Sequence, residues 1–195
     1  MSRKVLVPVA DGSEEIEAVC IIDVLRRAGA DVTVASVGDL QITASRGVKI
    51  VADRLISECV EQDWDLVVLP GGIPGAEHLR DSAVLQRILV RQANRGALYG
   101  AICAAPAVVL QHHGLLAGRR ATAHPAFLSQ LDNPDPVPRV IVDNGCVTSR
   151  GPGTAIEFAL ELVALLFGPQ KASEVGDPMV LPETLVTACS SRSVP

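Results

Sequence analysis

The chain has 195 residues, of which 48% are hydrophobic and only five are aromatic (one Trp, one Tyr and three Phe). A formal net charge of -5 argues against nucleic acid or an anionic membrane as the main partner. The length suits one domain over residues 1–195 with a substantial core. Ala, Val, Leu, Ile and Gly carry the interior, the usual palette of parallel strands between helices.

In chain order, Met1-Ser2-Arg3-Lys4 leads into a run too short to be a secretory h-region. Lys4 to Ala10 is a β-branched run bounded by Asp11-Gly12, and it predicts a first strand. A helix follows, with Ser13 as its N-cap. Glu14, Glu15 and Glu17 fill its first turn and Arg26 and Arg27 its last, before Gly29. This charge order complements the helix dipole, and glycine suits the C′ position. Asp31 to Val37 predicts a second buried strand, and residues 41–51 a ribbon turning at Ser45-Arg46-Gly47.

Asp65 to Leu69 is a buried strand stopped by Pro70-Gly71-Gly72, followed by a polar helix from Ser82 to Asn94. Ala97 to Ile102 is another strand, and Ala104 to His113 a helix closed by Gly114. Short strands are expected near 120–123, 139–142 and 146–149, then an amphipathic helix from Gly153 to Phe167. Its apolar stretch is interrupted by Glu157 and Glu161 and falls short of the roughly 20 residues a bilayer requires. Strands alternating with helices, and apolar on both faces, indicate α/β architecture with a parallel sheet covered by helices. Residues 182–195 form a polar, weakly patterned tail.

Five cysteines (Cys20, Cys59, Cys103, Cys146, Cys189) make an odd set without CxxC or zinc spacing. Free thiols in a reducing cytoplasm, with no metal and no cofactor, are the expectation. Cys103 stands apart, placed at a strand-to-helix turn between small residues, where helix-opening amides favour a thiolate. It is a candidate nucleophile or redox sensor.

Ligands of open α/β sheets bind beyond the carboxyl ends of the strands. Four such ends are distinctive: Asp11-Gly12, Gly71-Gly72, Cys103, and Ser149-Arg150-Gly151-Pro152-Gly153. Gly72 and Ala104 amides would make an oxyanion hole beside Cys103, unless the glycines serve only to turn the chain. Glu17 lies among Ile16, Val19 and Cys20. It either stabilises the helix dipole or, partly desolvated, stays protonated and donates a hydrogen bond to a thiolate. His124, after the strand expected at 120–123, is a candidate base or a structural residue. His112 and His113 suit a helix C-terminus.

Together these segments resemble the ThiJ/PfpI family, in particular its Parkinson-associated protein deglycase and YajL-like subgroup. The segments are Asp11-Gly12-Ser13-Glu14-Glu15-Ile16-Glu17, Ala44-Ser45-Arg46-Gly47, Val68-Leu69-Pro70-Gly71-Gly72, Ala101-Ile102-Cys103-Ala104-Ala105-Pro106 and Thr148-Ser149-Arg150-Gly151-Pro152-Gly153-Thr154. The resemblance runs from about residue 3 to 181 and implies a flavodoxin-like sandwich of the class I glutamine amidotransferase type. It implies Cys103 as reactive cysteine, Glu17 as its protonated carboxyl, Gly72 and Ala104 as oxyanion amides, and His124 nearby. It further implies a homodimer through the first helix and the ribbon, with Arg46 and Arg27 approaching the partner's site as anion binders. The family's protease-like branch has histidine directly after its cysteine, whereas this chain has Ala104. Peptidase activity is therefore not expected.

The implied activity is that of a glutathione-independent glyoxalase and protein or nucleotide deglycase. Its substrates would be methylglyoxal, glyoxal and their early adducts, and its role protection against carbonyl and oxidative stress. A redox sensor or redox-regulated chaperone, oxidised at Cys103 to sulfinate, is the alternative. Thiazole monophosphate (thiamine) biosynthesis is a third reading, and no phosphate loop supports it.

Overall fold

The computed structural model describes residues 2–182. β1 (Lys4–Val9) leads into α1 (Glu15–Arg27), and the chain returns as β2 (Asp31–Ser36). β3 (Gln41–Thr43) and β4 (Lys49–Val51) pair antiparallel as the expected ribbon, and the short β5 (Arg54–Leu55) joins β2. Then come β6 (Leu66–Leu69), α2 (Gly75–Asp81), α3 (Ala83–Asn94) and β7 (Leu98–Ile102). β8 (Val140–Asp143) and β9 (Cys146–Ser149) precede α4 (Ala155–Phe167) and α5 (Pro169–Gly176).

Seven strands form one sheet in the order β5-β2-β1-β6-β7-β9-β8, parallel except for the β8–β9 hairpin. Alternation along each strand divides the core. Val5, Val7 and Val9 of β1 face the layer of α1 and α4, where Ile21, Leu25, Phe158 and Leu162 pack. Leu6, Val67 and Leu69 face the opposite layer with Leu79, Leu85 and Leu89. Both faces are therefore covered, as the uninterrupted apolar strands demand. Gly100 lets Phe158 approach the sheet, since a Cβ there would lie 2.7 Å from the Val147 carbonyl oxygen and 3.3 Å from the Phe158 ring.

The helix-end signals hold at some positions and not at others. α1 buries Glu17, Ala18, Ile21, Val24 and Leu25, a stripe of helical period. It ends at Gly29, whose φ is 87° and whose N–H donates to the Arg26 carbonyl at 3.0 Å. Ser13, however, is not the N-cap. Its buried hydroxyl accepts from the Ala10 N–H at 3.0 Å, closing the turn after β1, and Glu14 occupies the cap. Ser82 does cap α3, accepting from Leu85 N–H at 3.3 Å.

Three further expectations need correction. Residues 120–123 form no strand, only a bridge from Ala121 to Pro134. The segment after Cys103 is a π-helical turn, Pro106–Gln111, rather than an α-helix to His113. His113 is not a terminal charge: its Nε2 lies 3.0 Å from the Arg80 carbonyl, and burial pushes its pKa down. No helix among the described residues is long and apolar enough to cross a membrane. The expectations for most of the 182–195 tail, Cys189 included, fall outside the described residues.

Phe158 joins α4 to the sheet with no exposed surface. Phe158→Ala is expected to cost about 3–5 kcal/mol, measured as a shift of the urea unfolding midpoint at unchanged m-value.

Candidate active site

The strands β1, β6, β7 and β9 are neighbours, all parallel, so their carboxyl ends open on one edge. Chain order reverses there, between β1 and β6, which is where open α/β sheets form crevices. Cys103 follows β7 directly with φ 67°. That left-handed backbone is uncommon for a side chain other than Gly, Asn or Asp. It turns the strand sharply and presents the sulfur at the mouth of the crevice. The Cys103 N–H donates to the Ser149 carbonyl at 3.0 Å, and the Cys103 carbonyl accepts from the His124 N–H at 2.8 Å. The elbow is thus clamped on two sides.

Gly71 and Gly72 do more than end a strand. A Cβ on Gly71 would lie 2.7 Å from the Cys103 Cβ, and one on Gly72 would collide with the Gly12 carbonyl and the Glu14 amide. Gly72 also has φ 87°, a conformation glycine adopts without penalty. The loop can therefore press against both the elbow and the start of α1. Backbone amides of Gly72 and Ala104 both bond to the Cys103 sulfur and lower its pKa.

Glu17 lies under this turn with no exposed surface. The Gly71 N–H donates to its Oε2 at 2.7 Å. Its Oε1 is buried and meets no partner in full hydrogen-bond geometry; the group interacting with the remaining carboxyl valence is the Cys103 thiol. Burial, the largest influence, outweighs both bonds and raises Glu17 from 4.5 to about 7. Burial also pushes the Cys103 thiol upward, and the Glu17 carboxylate adds to this. The expectation that helix-opening amides favour a thiolate therefore needs correction, because burial and Glu17 outweigh them. The two groups share protons as a pair, and the amide pull is opposed for as long as Glu17 is ionised.

A cavity of about 270 Å³ opens above the sulfur, lined by Glu14, Ser45, Arg46, Gly72, Ile73, Cys103, Ala104, His124, Phe127 and Pro152. Ser45 and Arg46 come from the ribbon, fastened to α1 by side-chain bonds. The Ser45 hydroxyl lies 2.7 Å from Glu14 Oε2 and 2.8 Å from Glu15 Oε2, and the Arg46 N–H donates to Glu15 Oε1 at 2.8 Å. His124 Nδ1 accepts from the Ala126 N–H at 3.2 Å, so in the neutral ring the proton resides on Nε2. Among the described residues, no group of three or more His, Cys, Asp or Glu could hold a metal ion.

Six of the seven residues singled out from sequence meet here: Cys103, Glu17, Gly72, Ala104, His124 and Arg46. Arg27 does not. It sits at the far end of α1, paired with Asp23. Glu14, Ser45 and Phe127 line the cavity without having been singled out. Glu14 and Ser45 lie in segments that carry the family resemblance, whereas Phe127 has no such signal.

The same segments can be compared with known proteins. The sequence model of the DJ-1/PfpI family matches residues 3–165. The chain belongs to the DJ-1/PfpI family. Protein DJ-1 homolog B of Arabidopsis thaliana is 51% identical over 174 residues, covering 88% of this chain and 40% of that one. The chain thus spans less than half the length of that plant relative. The structure of oxidized Toxoplasma gondii DJ-1 superposes with a TM-score of 0.90 at 51% identity, covering 92% of this chain and 98% of that one. A Caenorhabditis elegans family member named glutathione-independent glyoxalase DJR-1.2 is 35% identical over 189 residues, covering 92% of this chain and 96% of that protein. The DJ-1/PfpI family fold, a flavodoxin-like α/β sandwich, is the one described above.

The raised pKa of Glu17 carries a consequence for stability. The folded state binds this proton more tightly than the unfolded chain does. The associated stabilisation is complete below pH 4.5 and is lost as pH rises to about 7. Relative to Glu17→Gln, the wild type is expected to lose up to about 3 kcal/mol of unfolding free energy over that interval. Urea titrations of both proteins between pH 4.5 and 8 measure the difference.

Proposed function

We propose that this DJ-1/PfpI family member is a cysteine-dependent, glutathione-independent glyoxalase that also acts on early dicarbonyl adducts of proteins and nucleotides. The observation that carries the reading is the buried pair of Glu17 and Cys103 beneath two sulfur-directed amides, with a small cavity above them. The relative named as a glyoxalase supports it.

The geometry suits the following sequence for methylglyoxal. Ionised Glu17 takes the thiol proton as the Cys103 sulfur bonds to the aldehyde carbon, and the carbonyl π electrons move to oxygen. Gly72 and Ala104 N–H groups stabilise that oxyanion, which takes the proton back from Glu17 to give a hemithioacetal and leave the carboxylate ionised. Glu17 carries a proton from the former aldehyde carbon to the neighbouring carbon by way of an enediol, while the hydroxyl proton passes from the first oxygen to the second. A thioester of lactate results, water adds to it, the carbon–sulfur bond breaks, and lactate leaves with the thiol restored. With Nδ1 occupied by the Ala126 N–H, His124 serves as a hydrogen-bond donor through Nε2 to the second carbonyl oxygen. For an adduct already formed on an amine or thiol the proton shift comes first and gives a lactoyl amide or thioester. Cys103 then attacks its acyl carbon, the amine or thiol leaves with a proton from Glu17, and water releases lactate from the resulting thioester.

Redox sensing at the same thiol is the second reading, favoured by the buried Glu17 Oε1, which meets no partner in full hydrogen-bond geometry. Protonated, that carboxyl would donate to a Cys103 sulfinate. Lactate formation from methylglyoxal by glyoxalase-free protein separates the two. Cys103→Ala is expected to abolish it, and Glu17→Gln to lower kcat at least a hundredfold. In the wild type kcat/KM should rise through a limb near pH 7, where Glu17 ionises, and the residual activity of Glu17→Gln should lack that limb. Absence of lactate from wild-type protein, alongside ready sulfinate formation at low peroxide, would sink the enzyme reading.

A homodimer is part of the same proposal. Ile16 and Val19 are 53% and 50% exposed on the outer face of α1, and Val48 and Val51 are 49% and 67% exposed on the ribbon. Grouped apolar exposure of this kind marks association surfaces. It lies next to Arg46, so a partner seated there would border the cavity, where its Arg27 could also approach. Val51→Asp is expected to shift the protein from dimer to monomer in sedimentation equilibrium.

A further inference from the structure

A second cavity, of about 360 Å³, adjoins the one above Cys103 and shares His124 and Pro152 with it. Its other lining residues are Arg139, Arg150, Gly151, Gly153 and Thr154. Three polar side chains reach it from three separate segments. The Arg139 Nε donates to Glu157 Oε1 at 2.9 Å and Oε2 at 2.7 Å, and its Nη2 to the Gly153 carbonyl at 2.6 Å. That guanidinium is held in place and its charge is balanced.

Arg150 differs. Among the described residues its side chain has no ion pair and no hydrogen bond, so it supplies an uncompensated cation to the wall. His124 adds an Nε2 donor, because its Nδ1 is the acceptor. The floor is open: a Cβ at Gly153 would meet nothing within 4 Å, and one at Gly151 only the His124 Cδ2 at 3.5 Å. Thr154 Oγ1 is turned inward, accepting from the Gly151 N–H at 3.1 Å and lying 2.7 Å from Ser149 Oγ, which makes the turn rigid.

We propose that the pocket at Arg150 is a phosphate-binding subsite, so that the preferred substrates are dicarbonyls or adducts carrying a phosphate group. Donors arriving from three directions suit the spread oxygens of a tetrahedral anion better than a planar carboxylate, which one guanidinium satisfies alone. The shared His124 sets the two cavities side by side, so that one ligand can reach both. This assignment rests on the dicarbonyl reading for the reacting end, but not for the binding of the anion.

Two measurements test it. Cys103→Ala protein, with ring-labelled histidines assigned by His124→Gln, is titrated with inorganic phosphate at constant ionic strength and followed by NMR. Saturable shifts confined to His124 are expected. Adding Arg150→Ala should raise the apparent Kd at least tenfold, and Arg150→Lys by less. Unchanged affinity in Arg150→Ala, at a retained unfolding midpoint, would overturn the proposal, as would acetate binding as tightly as phosphate. In turnover, the ratio of kcat/KM for hydroxypyruvaldehyde phosphate to that for methylglyoxal should fall at least tenfold in Arg150→Ala; a constant ratio refutes the subsite. If neither dicarbonyl is turned over, the glyoxalase reading fails while the phosphate titration still decides the subsite.

Discussion

Everything at this site depends on how closely the Gly71-Gly72 loop can approach Cys103. The space that a Cβ on Gly71 would need is occupied by the Cys103 Cβ and the Ile102 carbonyl. Because that side chain is absent, the Gly71 amide reaches the Glu17 carboxylate while the Gly72 amide reaches the sulfur. One short loop therefore orients both the acid and the nucleophile. A side chain at Gly71 would push the loop away from the end of β7, and one at Gly72 away from the turn that opens α1.

The second constraint is electrostatic. Glu17 is kept out of water with only one strong backbone donor, and that is too little to hold an ordinary carboxylate pKa. An acid poised near neutrality next to a thiol is suited to moving protons in both directions. Glu14 and Glu15 bond to Ser45 and the Arg46 amide, which fixes the ribbon over the start of α1.

Much of the arrangement was legible in the sequence because it follows from local rules. Doubly apolar strands at Val5–Val9 and Leu66–Leu69 declared a covered parallel sheet, and strand carboxyl ends with Gly71-Gly72 and Cys103 declared the crevice. Glu17 stood out because its neighbours are apolar. Other features depend on tertiary contacts that pattern does not encode. Ser13 has the chemistry of an N-cap, yet its hydroxyl is taken by the Ala10 amide. Residues 120–123 have strand composition but are not paired in the sheet. His124 was noticed, whereas its role as donor depends on the Ala126 amide behind it. The thiol pKa depends on the depth of burial, and the amides visible in sequence are only one part of the balance.

The left-handed backbone at Cys103 bears on how the molecule responds to selection. A non-glycine residue in that conformation costs on the order of 1–3 kcal/mol, which the surrounding structure must offset. Glycine would relieve the cost at this position and no other change would be needed. A library screened for thermal tolerance alone is thus biased toward losing the thiol. Loss of cysteine at position 103 in such a screen, with its retention in one that also demands activity, would report that reactivity rather than folding keeps it there.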